Sequence, residues 1–254
     1  MFRFQTTRAT WWLLPMLFAI TPLRSAQVSS GALMKPTGTW GVGRATVEVV
    51  DSSRTMPNSK VARRLMLQIW YPTASAKESA TLPYVEHLEG ARDSLTNEEL
   101  DLLKAVQTHA SADLPASPTA SRFPLLLFSH GEQMNAFLYS NLHEELASHG
   151  FIVVAVEHPG AALFVAYPNG SVVPYSEPGQ SLQGRVADRV ADLRFVRDQI
   201  GRLEIRGRRL NDLVSNRIGV FGHSMGEWLP HSFASNLRYL MRASIWMDVW
   251  MQHQ

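Results

Sequence analysis

The chain has 254 residues, 45% hydrophobic and 18% charged, enough for one globular domain with a sizeable core and too few for two full ones. Its formal charge of +2 originates in the first 26 residues, which hold Arg3, Arg8 and Arg24 and no acid; from residue 27 onward, 21 basic side chains face 22 acidic ones. No Lys/Arg stripe or zinc-finger spacing supports a nucleic-acid partner, and the absence of cysteine excludes disulfides, thiolate metal sites and a cysteine nucleophile.

In chain order, "MFRFQTTRAT" followed by the ten apolar residues "WWLLPMLFAI" has the form of a signal peptide, too short in its apolar part to span a bilayer. Cleavage is expected near Ala26, making residues 27–254 secreted or periplasmic. Arg24 departs from the small residue preferred there, so an uncleaved anchor stays open. The run "RLMLQIWYP" (64–72) alternates like a strand. Residues 73–122 turn to Ala, Ser, Pro and charge, with one helical patch whose Thr96 and Glu99 match a capping box; the segment reads as a variable, lid-like insert.

Two continuous apolar runs, "FPLLLFSHG" (123–131) and "FIVVAVEHPG" (151–160), have the composition of strands buried on both faces. The helical stretch between them ends at Gly150, which completes a βαβ unit. A second helix follows, with Val186, Val190, Leu193, Val196 and Ile200 in one apolar stripe, and then the strand "RIGVF". This alternation predicts an α/β fold with a mostly parallel sheet covered by helices on both faces.

The strand at 217–221 leads directly into Gly222-His223-Ser224-Met225-Gly226, a G-x-S-x-G sequence. Placed between a strand and a helix-capable stretch, it predicts a sharp turn that exposes the hydroxyl of Ser224 as a nucleophile. The alternative is a chance match in a glycine-rich turn. The two glycines are required because a side chain at either would strike the neighbouring strand or helix. The backbone N–H of Met225 would then serve as an oxyanion donor, and "LLLFSHGE" supplies a second donor in the backbone N–H of Glu132. His130, ahead of that loop, is expected to be a structural hydrogen bonder. The stretch "HEELASH" is no metal helix, because His143 and His149 are six residues apart rather than four, and "GVGRAT" is no dinucleotide loop. No metal and no cofactor are expected.

The segments "FPLLLFSHG", "LASHGFIVVAVEHPG", "GRVADRVADLRFVRDQI", "IGVFGHSMG" and "ASIWMDVWM" together resemble α/β-hydrolases of the platelet-activating factor acetylhydrolase group, over residues 64–251. The resemblance implies a serine esterase acting on short acyl esters or phospholipids without metal or cofactor, and a contact with a membrane surface. It also implies Ser224 as nucleophile and Asp248 as the triad acid, with the Met225 and Glu132 amides as the oxyanion hole. From the residues alone, Asp248 is equally an ordinary loop acid near the chain end. Oligomeric state has no signal in the sequence.

The resemblance also requires a histidine after the acid, and there the pattern fails. Only six residues follow Asp248, and His253 has no remaining strand or helix to carry it back to the serine. His223 lies within the elbow, and His231 follows Pro230 in the next stretch. Glu227 and Trp228 stand where relatives usually carry a small residue. The expectation is an α/β-hydrolase domain whose C-terminal strands and base are missing, with weak or no esterase activity. A fragment of a longer protein, a degenerated gene, and a lipid- or ester-binding protein without turnover all fit it.

Overall fold

The computed structural model describes residues 31–74, 81–112, 122–176, 179, 181–228 and 242–244. The expected signal peptide at 1–26 lies outside them.

The described strands begin with β1 (Gly41–Thr55) and β2 (Ala62–Thr73), paired antiparallel from Gly41↔Thr73 to Thr55↔Ala62. β1 had no counterpart in the sequence reading; "GVGRAT" opens it. β3 (Thr81–Pro83), α1 (Asn97–Ala105) and β4 (Gln107–Ser111) follow. The central βαβ unit is β5 (Phe123–Ser129), α2 (Ser140–Ser148) and β6 (Ile152–Glu157). After the hairpin β7 (Phe164–Ala166) and β8 (Val172–Pro174), the long helix α3 (Leu182–Gln199) returns across the sheet. A second hairpin, β9 (Glu204–Ile205) and β10 (Arg208–Arg209), and the short α4 (Leu210–Leu213) lead into β11 (Val214–Gly222); β12 (Arg242–Ser244) closes the described series.

Eight strands form one mixed sheet in the order β12-β11-β5-β6-β2-β1-β4-β3. The four strands from β12 to β6 are mutually parallel, and β2 joins β6 antiparallel. The described parts of the 73–122 segment do not form a lid: β4 pairs with β1 and β3 with β4, so they extend the sheet's far edge. The capping box that starts α1 is present, with Glu99 N–H donating to Thr96 Oγ1 at 3.2 Å and Thr96 N–H to Glu99 Oε2 at 2.7 Å.

Side-chain alternation divides the core between the two sheet faces. Leu125 and Leu127 of β5 and Ile152, Val154 and Val156 of β6 pack with Val186, Val190, Leu193 and Val196 of α3. Phe128, Val153 and Ala155 face the other way, toward Ala147 of α2 and Trp70 and Phe221. Each fully buried Val, Leu or Ile contributes about 1.5–3 kcal/mol, so both layers are driven by the same strands. Gly150, at φ +88°, takes the left-handed conformation that lets α2 turn into β6.

His143 is an exception in the second layer. It is fully buried among Trp70, Phe128, Tyr139 and Phe221, and neither ring nitrogen has a hydrogen-bond partner. Burial lowers its pKa to about 3. A histidine depressed from its free value near 6.5 contributes stability in full above that pH and loses it as pH falls toward 3. His143→Leu is expected to raise stability at pH 7 by about 1–3 kcal/mol, the cost of a buried unsatisfied polar group. It should also flatten the loss between pH 6 and 4, as measured by urea unfolding.

Candidate active site

Parallel strands in α/β sheets offer their carboxyl ends for chemistry, and the predicted residues collect there. β5 ends at Ser129, β6 at Glu157 and β11 at Gly222, with Phe128 beside Phe221 and Ser129 beside Gly222 in register. A 3₁₀ turn, Ser224–Trp228, follows β11 within two residues.

Ser224 has φ +53° and an exposed side chain. A left-handed serine is strained by about 1–3 kcal/mol unless packing over-determines it, and here the two flanking glycines do so. A β-carbon built on Gly222 would lie 2.7 Å from the Ser129 carbonyl oxygen and 2.6 Å from the Gly226 carbonyl carbon. One built on Gly226 would overlap the Ser129 carbonyl oxygen outright. The His223 N–H donates to that same oxygen at 3.2 Å, and Gly226 N–H donates to His223 carbonyl at 2.8 Å. The turn is thus pressed against the end of β5, the sharp strand-to-turn geometry expected of the G-x-S-x-G sequence. The ring of His223 is hydrogen-bonded through Nδ1 to the Tyr139 hydroxyl at 2.8 Å.

The loop after β5 holds the second element of the expected site. The Glu132 side chain pairs with Arg189 of α3 at 2.8 Å and with Arg185 at 3.5 Å. Its backbone N–H has no acceptor among the described residues. His130 is fully buried: its Nδ1–H donates to the Gly131 carbonyl at 2.7 Å, and its Nε2 accepts the His158 backbone N–H at 3.1 Å. Burial, assisted by the Arg189 charge, holds the ring well below the usual histidine range, so it is neutral. Gly131 is crowded by His223 Nδ1 and Met134 Sδ, each 2.9 Å from a built β-carbon.

Downstream, the loop is tied to β6 by Glu157. Its carboxyl accepts from Ala136 N–H at 2.8 Å, Gln68 Nε2 at 3.1 Å and Asn135 Nδ2 at 3.2 Å. Burial pushes its pKa up to about 8. Sequence reasoning missed Tyr139, Glu157 and Arg189. A glutamate ending a wholly apolar strand and an arginine inside the apolar stripe of α3 were the available signals.

A cavity of about 610 Å³ opens beside the loop, lined by Arg54, Arg63, Glu132, His158, Arg185 and Arg189 among others, while Ser224 is not on its wall. The structure brings Gly222, Ser224, Met225 and Gly226 together in one turn, and sets Gly131, the residue before Glu132, against the His223 ring. Asp248, His231, Pro230 and His253 lie outside the described residues, as do the side chains of Glu227 and Trp228.

The family model of platelet-activating factor acetylhydrolase, isoform II, matches residues 26–174, a span that ends before the elbow strand. A protein of Arthroderma benhamiae named "Probable 1-alkyl-2-acetylglycerophosphocholine esterase" is 29% identical over 231 residues, which is 80% of this chain and 55% of that protein. The platelet-activating factor acetylhydrolase of Canis lupus familiaris is 27% identical over 223 residues, 73% of this chain and 50% of that one. Among solved structures, a ferulic acid esterase from Streptomyces cinnamoneus superposes with a TM-score of 0.70 at 32% identity, covering 83% of this chain and 60% of that one. The chain thus spans about half the length of these two curated relatives.

Two outcomes test this geometry. Gly226→Ala should destabilise the fold by about 1–3 kcal/mol or more, since the clash is with backbone and nothing flexible can give way; an unchanged thermal midpoint would contradict the packing. For Glu157, a raised folded pKa means that its stabilisation is complete below about pH 4.5 and is lost as pH rises toward 8. Wild-type thermal midpoints should therefore carry a falling contribution across that window, and Glu157→Gln should remove it.

Proposed function

Because the chain belongs to the platelet-activating factor acetylhydrolase, isoform II, family, we propose that it is a carboxylic ester hydrolase of the serine type, acting on short-chain acyl esters, acetylated phospholipids included. Ser224 is its nucleophile. The observation that carries this reading is the left-handed, exposed Ser224 locked between two glycines that admit no side chain. Attack on an ester carbonyl places negative charge on its oxygen, and the amides of Met225 and Glu132 are the donors that would stabilise it. Asp248 is the acid that would orient an imidazole, as the family resemblance implies.

The base is the open position. Among the described residues, His130, His143 and His158 are buried, His87 lines a separate pocket with Arg44 and Phe137, His109 is bonded to the Leu33 carbonyl, His149 to Glu145, and His223 to Tyr139. None is free beside Ser224. Removing the histidine of a serine triad costs on the order of 10⁶ in kcat, so the 254-residue polypeptide is expected to hydrolyse esters weakly at best. The same engagement of its histidines supports a second reading, a protein that binds a lipid or small ester without turning it over. Proposed partners are limited to such a small-molecule ester and a membrane surface presenting it, with the protein secreted or periplasmic.

Imidazole added in solution separates these readings. Slow hydrolysis of p-nitrophenyl acetate by the 254-residue chain should rise saturably with imidazole, above the background of a Ser224→Ala control. Equal rates in both proteins would remove Ser224 as nucleophile. Ordinary esterase rates without imidazole would show that a base is already in place.

A further inference from the structure

A second serine, histidine and aspartate are hydrogen-bonded in series beneath the elbow. Ser129 Oγ is 2.9 Å from His158 Nε2, and His158 Nδ1 is 2.8 Å from Asp192 Oδ2. All three are fully buried. Asp192 also receives Arg63 in a two-pronged pair, Nε at 2.7 Å and Nη2 at 2.6 Å, and lies 2.7 Å from Arg54 Nη2. Its carboxylate is therefore ionised, His158 Nδ1–H donates to it, and Nε2 accepts the Ser129 hydroxyl. The direction of every proton in the array is fixed from the arginine end.

Ser129 cannot meet a substrate, so the array does not act as a nucleophile. What it touches is the oxyanion loop. Ser129 begins that loop, and its carbonyl oxygen is the surface on which the elbow glycines rest. The backbone N–H of His158 holds the His130 ring, which holds the Gly131 carbonyl. Arg189, one turn before Asp192 on α3, donates to the His130 carbonyl at 2.5 Å and to Glu132 at 2.8 Å. Ser129, His130 and Glu132 are thus held by α3, by His158, or by both, and Gly131 is held through the His130 ring.

We infer that Asp192, His158 and Ser129 are positioning residues that set the Glu132 amide relative to Ser224, a buried relay whose output is the geometry of the oxyanion hole. The inference rests on the serine-esterase reading above. A displacement of about 1 Å at a reacting centre can cost on the order of 10²-fold in rate, while the wall of the cavity beyond the loop includes His158 but neither Ser129 nor Asp192, so loss of the Ser129 hydroxyl leaves it intact. The relay should therefore govern kcat and leave KM alone.

The test uses the full 254-residue chain with Ser129→Ala and His158→Gln, assayed for imidazole-assisted, Ser224-dependent turnover of p-nitrophenyl acetate. The expected result is a kcat lower by roughly 10- to 100-fold in Ser129→Ala, with KM within about twofold of wild type. A Ser129→Ala protein with a lowered thermal midpoint but unchanged kcat would overturn the relay and leave a merely structural role. If wild type shows no Ser224-dependent turnover, the esterase reading fails, and the relay is judged by proton NMR and amide exchange instead. An imidazole N–H resonance downfield of the amides, absent in His158→Gln, and faster exchange at the Glu132 amide in Ser129→Ala support it. Unchanged exchange at Glu132 overturns it, and Ser129→Ala keeps that readout should His158→Gln fail to fold.

Discussion

Asp192 is a carboxylate with no exposed surface, and the molecule has arranged its neighbourhood so that this charge can exist. Burial by itself would raise its pKa, but the hydrogen bonds and charge of Arg63, with His158 behind them, hold it well below the usual carboxylate range. An isolated ion in this position would cost several kcal/mol in lost hydration. Matched by guanidinium groups from the β1–β2 hairpin, it becomes a fixed anion where α3 crosses the ends of β5 and β6. Burial takes the His158 pKa down to about 4 against the pull of Asp192, so the imidazole is neutral at pH 7 and its hydrogen bonds keep one polarity.

From that anchor the candidate site follows by contact. The relay fixes Ser129, the Ser129 carbonyl receives the elbow, and the elbow keeps Ser224 in a conformation it would not hold alone. Strain in such a turn persists only when surrounding structure over-determines it. The source of that determination is backbone against backbone, which is why Gly222 and Gly226, two positions to either side, carry no side chain. The Glu132 carboxylate ties the loop to α3 through Arg189, and its backbone N–H has no acceptor among the described residues.

The parts legible in the sequence were those whose physics is local. β5 and β6 announced themselves as apolar runs because both faces are buried, and α3 by its stripe from Val186 to Ile200. The elbow was legible because a strand running into G-x-S-x-G has few other uses. β1 was not, since only four of its 15 residues are buried and three of those are consecutive, so its alternation is weak. The 73–122 segment was read as lid-like from composition, which says nothing about pairing; of its described strands, β4 pairs with β1, more than 50 residues upstream, and β3 pairs with β4. The apolar stripe of α3 gave no sign that Arg189 and Asp192 are buried beside it. Their partners come from β2, from the turn after β6 and from the loop after β5, and spacing along one helix cannot show them.

Ser224, as the group that attacks, is the residue on which the proposed chemistry depends. The decisive measurement is mass-spectrometric mapping of the 254-residue chain after prolonged exposure to a fluorophosphonate in the presence of imidazole. A single phosphonyl adduct on Ser224, absent from Ser224→Ala, is the predicted result. Adducts on another serine, or none on Ser224 while the protein remains folded, would contradict it.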